Sequence, residues 1–125
     1  MGPVSCVFCA PEDAEVVLRG EMSYVRYDKF PVSPGHMLVI PFRHVPSVFD
    51  LNSDEIAEIG KLIVETKEYI EQGYHPDGYN IGVNVGVAAG QTVMHVHIHV
   101  IPRYVGDMEN PRGGVRGVIP ERQGY

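Results

Sequence analysis

No apolar run in the 125-residue sequence approaches the roughly 20 residues that a membrane-spanning helix needs. Nor does it open on a basic leader followed by a hydrophobic stretch, so the expectation is a cytoplasmic protein with no membrane partner. Positive charge is also scarce: Lys and Arg number 10 against 16 Asp and Glu, a formal net charge of −6. Long nucleic acid is held through counterion release on a basic surface, which this composition argues against. A small nucleotide is a compatible partner, because backbone donors, histidines and a few arginines can neutralise its phosphates locally. Cysteine is nearly absent, and the two present, Cys6 and Cys9, suit a reducing compartment. Internal repeats and low-complexity tracts are lacking. With 44% hydrophobic residues, the chain reads as one domain, residues 1–125, around a single core.

What the sequence does contain is periodicity. Residues 15–18 and 23–27 read as short strands around an Arg19-Gly20-Glu21 turn, and residues 36–41 as an apolar third strand. Asn52 can cap a helix with Glu55 three residues on, Leu51 and Ile56 can staple it, and Ile56, Ile59, Ile63 and Ile70 make its apolar stripe before Gly73. Tyr79, Ile81, Val83 and Val85 alternate with Asn80, Gly82 and Asn84, a strand that brings Asn84 towards a pocket. After Tyr104, glycines and prolines interrupt every pattern, so residues 1–104 form the core and 105–125 a tail. Its Arg112, Arg116 and Arg122 can close over phosphates, stay solvated or pack a dimer arm. The fold class is α+β: an antiparallel sheet of about five strands with one long helix.

Residues 93–101 read Val-Met-His-Val-His-Ile-His-Val-Ile. Strict alternation is a strand signature, so His95, His97 and His99 share one face while Val96, Ile98 and Val100 point into a core. Same-face neighbours on a strand lie about 6.6 Å apart and the outer pair about 13 Å, too far for one metal ion to hold all three. Different histidines therefore do different work, as nucleophile, metal ligand or proton carrier. The preceding residues 84–92 are small and glycine-rich and end in Gln91 and Thr92, a composition that suits an anion beside the histidines.

The run Gly90-Gln91-Thr92-Val93-Met94-His95-Val96-His97-Ile98-His99-Val100-Ile101, with Pro34-Gly35-His36-Met37-Leu38-Val39-Ile40-Pro41 upstream, resembles the histidine-triad (HIT) family of nucleotide hydrolases and transferases. The resemblance covers most of the chain as far as Arg103, and lies nearest the fragile-histidine-triad branch and the zinc-bearing bacterial and archaeal members. It implies a HIT-like fold, a homodimer, and hydrolysis at the α-phosphate of a nucleotide, with dinucleoside polyphosphates such as diadenosine polyphosphates as substrates. By that resemblance His97 is the nucleophile that forms a nucleotidyl-histidine, and His99 assists proton transfer or binds phosphate. Asp28 is placed on the ribose hydroxyls, Asn84 near the α-phosphate, and Gly90, Gln91 and Thr92 at the phosphate oxygens, although Gln91 and Thr92 can instead shape a turn. Phosphoramidate hydrolysis, phosphorolysis or nucleotidyl transfer, and non-catalytic nucleotide binding are the alternatives.

Cys6-Val7-Phe8-Cys9 is a C-x-x-C turn, which can hold zinc, form a redox disulfide or do neither. A thioredoxin-like motif follows a buried strand and opens a helix, and neither signal precedes this one. Zinc needs two more ligands, from among His36, His44, His75 and the triad. Resemblance to zinc-bearing HIT proteins and related uridylyltransferases selects His44 and His95. Two thiolates and two imidazoles close the coordination shell, so the expected zinc is structural. His36 is expected to support the site by hydrogen bonding and His75 to sit in an exposed turn.

Overall fold

The computed structural model describes residues 6–125. Five strands, β1 Leu18–Arg19, β2 Ser23–Tyr27, β3 Met37–Pro41, β4 Gly78–Val83 and β5 Ile98–Arg103, form one sheet in the order β1-β2-β3-β5-β4. Every neighbouring pair is antiparallel. A single long helix, α1 Ser53–Gly73, connects β3 to β4 and packs on one face. No helix among the described residues is long and apolar enough to cross a membrane.

The helix begins as its sequence dictates. Asn52 accepts a hydrogen bond from the Glu55 amide, and Glu55 accepts one from the Asn52 amide, both at 2.9 Å. Its buried stripe is Glu55, Ile59, Leu62, Thr66 and Ile70, so the stripe is displaced from the expected one: Ile56 is half exposed and only Leu51 of the expected staple joins the core. Glu55 takes the inward position because Arg43 meets its carboxylate at 2.7 and 3.1 Å, which makes burial of the charge tolerable. One turn on, Glu58 accepts from the Glu21 and Met22 amides and the Ser23 hydroxyl, closing the β1–β2 hairpin. A Cβ at Gly20 would lie 2.5 Å from the Glu58 carboxyl carbon, so the hairpin turn accepts only glycine there without rearrangement.

Alternation along β2, β3 and β5 divides two clusters. Val25, Met37, Val39, Ile98 and Val100 pack with the helix, whereas Tyr24, Leu38 and Ile40 pack on the opposite side with Phe8. Leu38 pairs with His99, which assigns His99 to the face away from the helix.

Two strand expectations are corrected. The first strand is shorter and later than residues 15–18: Asp13–Glu15 is a short 3-10 turn, in which the Glu15 carboxylate turns back to accept from the Glu12 amide at 3.0 Å, and β1 takes only Leu18–Arg19. The histidine row is also not one strand. β5 begins at Ile98, and residues 95–97 approach it with Val96 bonded to the Val45 carbonyl at 2.8 Å, so His95 and Val96 are both fully buried and the alternation fails there. The tail, by contrast, has no strand and folds on itself through 3-10 turns at Gly114–Val118 and Pro120–Arg122.

Arg43 holds the Glu55 carboxyl below the usual glutamate range. A lowered folded value stabilises above the ordinary carboxylate pKa, and the stabilisation is lost as pH falls through the folded one. Glu55→Gln, which retains the cap but not the charge, is therefore expected to melt below the wild type at neutral pH and to converge with it in acid. Thermal melts between neutral and acid pH check this, and a constant offset across that window would refute it.

Candidate active site and metal centre

On the face away from the helix lies a cavity of about 490 Å³, lined in part by Val7, Phe8, Asp28, Phe30, His36, Leu38, Asn84, Gly90, Thr92, His97 and His99. That volume suits a nucleotide-sized ligand. Gly90 has φ +94°, a conformation that only glycine adopts cheaply, and it turns the chain from the glycine-rich loop into the histidine segment.

The three histidines differ in what each ring nitrogen can do, and hydrogen-bond partners assign the tautomers. His95 donates from Nε2 to the Pro41 carbonyl at 2.7 Å, leaving Nδ1 as a lone pair. His97 does the reverse: Nδ1–H donates to the His95 carbonyl at 2.9 Å, leaving Nε2 as the free base on a residue that lines the cavity. For His99 the assignment begins at His36, whose Nδ1 accepts from the Val32 amide at 3.1 Å. The Nε2–H of His36 then donates to His99 Nδ1 at 3.0 Å, so His99 carries its own proton on Nε2. Burial pushes the pKa of His36, His95 and His99 down, which favours these neutral forms; Asp28 opposes the shift at His36 and His99.

Asp28 and Asn84 both line the cavity, as do Gly90 and Thr92. The Asp28 carboxylate is turned towards the histidine pair, 3.4 Å from His36 Nε2 and 3.8 Å from His99 Nδ1. Gln91 is not in the lining. Its carboxamide accepts from the Gly86 amide at 2.8 Å and donates to the Pro46 and Val93 carbonyls at 2.7 and 3.1 Å, so it fastens the loop from behind. Arg112 and Arg116 stack on Tyr125 at 5.7 and 4.6 Å, and Arg116 also donates to the Arg122 carbonyl. None of the three tail arginines lines this cavity. His75 is exposed.

Several lining residues escaped the sequence reading. Phe8 packs 4.9 Å from the His97 ring centroid, and the nearly buried Arg26 pairs with Glu15 at 2.8 Å and donates to the Val7 carbonyl at 3.4 Å. Arg26 was legible in principle, since it alternates with Val25 and shares the Tyr24 face of β2.

Next to the cavity, Cys6, Cys9, His44 and His95 converge into a cluster whose ligand atoms all lie within 4.8 Å of one another. A tetrahedral zinc with bonds of about 2.3 Å to sulfur and about 2.0 Å to nitrogen needs S···N of about 3.5 Å and N···N of about 3.3 Å. Here Cys6 and Cys9 stand 3.5 Å from His95 Nδ1, Cys9 stands 3.1 Å from His44 Nδ1, and the two Nδ1 atoms are 3.2 Å apart. The donor set fits such an ion. The His95–Pro41 bond also orients the ring as second partners of metal ligands do.

Three differently bonded histidines at and just before the start of β5, beside a cavity fit for a nucleotide, define a histidine-triad protein. The chain belongs to the HIT family: the HIT domain matches residues 10–106. It is similar to an AP-4-A phosphorylase of Mycobacterium tuberculosis, with 37% identity over 77% of this chain and 50% of that protein. Similarity to the bis(5'-nucleosyl)-tetraphosphatase (asymmetrical) of Schizosaccharomyces pombe is 39% identity over 78% of this chain and 53% of that one. The chain thus spans about half the length of these curated relatives. Among solved structures it is similar to a Zn-bound histidine triad family protein of Mycobacterium smegmatis, with TM-score 0.75, 35% identity, and coverage of 87% of this chain and 82% of that one.

Removing the buried Gln91 carboxamide breaks its three hydrogen bonds to the Gly86 amide and the Pro46 and Val93 carbonyls. Gln91→Ala is expected to cost about 1–3 kcal/mol of folding stability in urea denaturation. Unchanged stability with lost nucleotide binding would instead make Gln91 a ligand contact.

Proposed function

We propose that this protein cleaves a dinucleoside polyphosphate at the α-phosphate through a covalent nucleotidyl intermediate on His97, releasing a nucleoside monophosphate. The observation that carries this reading is the bond from His97 Nδ1–H to the His95 carbonyl, which leaves Nε2 as a free base beside the cavity. The names of the two similar proteins, a phosphorylase and a tetraphosphatase, support the substrate class.

In the first step the His97 Nε2 lone pair attacks the α-phosphorus, the P–N bond forms, and the P–O bond to the remaining polyphosphate breaks. That leaving group departs as an anion and requires no proton. The Nε2–H of His99, oriented by His36, donates a hydrogen bond to the phosphoryl oxygens as charge develops. Thr92 and the backbone at Gly90 hold the same group. In the second step water attacks phosphorus, the P–N pair returns to His97, and the water proton passes to solvent. Inorganic phosphate in place of water would give phosphorolysis from the same intermediate. Phe8, Phe30, Val7 and Leu38 supply the apolar lining for a base, and Asp28 and Asn84 the polar contacts to sugar and phosphate.

We further infer that Cys6, Cys9, His44 and His95 hold a zinc ion, supported by the tetrahedral spacing and by the Zn-bound relative. Such an ion cross-links the chain and, with four protein ligands, has no open position for substrate. A homodimer completes the reading, supported by the position of β4 at the sheet edge with Ile81 half exposed.

Wild type and His97→Ala, incubated with diadenosine triphosphate, diadenosine tetraphosphate and an adenosine phosphoramidate, test the mechanism by chromatography of products. The expected result is AMP from the wild type, faster from the dinucleotides, and a loss of about 10⁴-fold or more in the variant. Product that appears only with added phosphate would assign phosphorolysis, and undiminished turnover by a pure His97→Ala preparation would sink the nucleophile assignment. Metal analysis is expected to find about one zinc per chain, lost in Cys9→Ser together with thermal stability.

A further inference from the structure

The metal cluster and the cavity share a wall. Cys6 and Cys9 bound a turn whose two inner residues, Val7 and Phe8, line the cavity directly. Phe8 is buried, and its ring lies 4.9 Å from the His97 ring, tilted by 52°, and 6.0 Å from the His95 ring, edge-on. The turn is fastened from below as well, since the Tyr24 hydroxyl donates to the Phe8 carbonyl at 2.9 Å and Arg26 to the Val7 carbonyl at 3.4 Å.

His97 is held from a second side by the same cluster. The carbonyl that accepts its Nδ1–H belongs to His95, one of the four candidate ligands. The His97 ring is thus confined by its contact with Phe8 and by its bond to the His95 carbonyl. One restraint comes from a candidate ligand, His95, and the other from Phe8 between the candidate ligands Cys6 and Cys9.

We propose that Phe8 is a positioning residue for His97 and that the Cys6-Cys9-His44-His95 metal centre holds the nucleophile in its working orientation, in addition to stapling the fold. This rests on the reading of His97 as the reacting residue. The centre does no chemistry itself; its ligands determine where the His97 Nε2 lone pair points. A misplacement on the order of 1 Å can cost about 100-fold in rate, so the coupling is large enough to measure.

The test uses the full chain, uniformly labelled with nitrogen-15, and reads the His97 ring nitrogens by long-range proton–nitrogen correlation. Zinc-loaded wild type, zinc-depleted wild type, and zinc-loaded Phe8→Ala and Phe8→Leu are compared, each with its zinc content and its kcat and KM. The expected result is a Phe8→Ala protein that keeps its zinc, loses kcat by about 10- to 100-fold with a smaller change in KM, and shows His97 ring signals displaced in the same sense as in the zinc-depleted protein. Phe8→Leu should recover part of both. Wild-type His97 signals in Phe8→Ala, or in zinc-depleted protein that remains folded, overturn the proposal, as does a change in KM alone, which would make Phe8 a simple substrate contact. Should zinc-depleted protein unfold, zinc-loaded Phe8→Ala decides. Absence of turnover in every sample, wild type included, would count against the nucleotide reaction, while the ring signals would still decide whether Phe8 positions His97.

Discussion

A neutral imidazole has one donor nitrogen and one acceptor, and a backbone carbonyl placed against the first leaves the second free. At His97 that carbonyl belongs to His95, two residues back, at 2.9 Å. His95 is itself turned by the Pro41 carbonyl at the end of β3. The two bonds run in opposite senses: one directs Nδ1 of His95 into the cysteine cluster, the other leaves Nε2 of His97 free beside the cavity. A short stretch of backbone therefore divides similar side chains between the cysteine cluster and the cavity. The sheet, the helix and the N-terminal turn serve to hold it there.

This arrangement explains why residues 95–97 are not strand, although their alternation suggests it. A continuous strand would have put all three imidazoles on one face with equal access to the cavity. Bonding to Val45 draws Val96 inward and buries His95, while only Ile98 onward pairs with β3 and β4. The sequence pattern marked the histidines that the fold sets beside the cavity and the cysteine cluster, but the distant carbonyls of Pro41 and Val45 that fix their bonding leave no local trace. Glu55 tells the same story in the helix. Its capping function was readable three residues from Asn52, whereas its burial depends on Arg43, which lies outside the helical period. The Cys6, Cys9, His44 and His95 cluster became legible only when C-x-x-C was combined with the family resemblance, because spacing alone leaves several histidines open. Phe8 was hidden in plain view between two cysteines, its importance set by packing against His97 rather than by any pattern of its own.

The loop before the triad shows how position and polarity can mislead. Gln91 and Thr92 are adjacent, yet Thr92 reaches the cavity while Gln91 turns back to bind the loop at three points. The buried Gln91 carboxamide has its own donors and acceptor satisfied by the loop backbone. Asp28 is likewise aimed at His36 and His99 in this structure, so it acts on the electrostatics of the histidine pair as well as facing the cavity. The similar proteins carry the names of two reactions, and the proposed nucleotidyl intermediate would serve either, since only the second acceptor, phosphate or water, would differ.

The central claim is that the His97 Nε2 lone pair takes the nucleotidyl group. Mixing the wild type with excess diadenosine tetraphosphate, quenching in alkali, which preserves phosphorus–nitrogen bonds, and mapping the peptides by mass spectrometry tests it most directly. The account predicts an adenylyl group on His97 that disappears as substrate is exhausted. Full turnover with an unmodified His97 peptide, or the group found on His99, would contradict it.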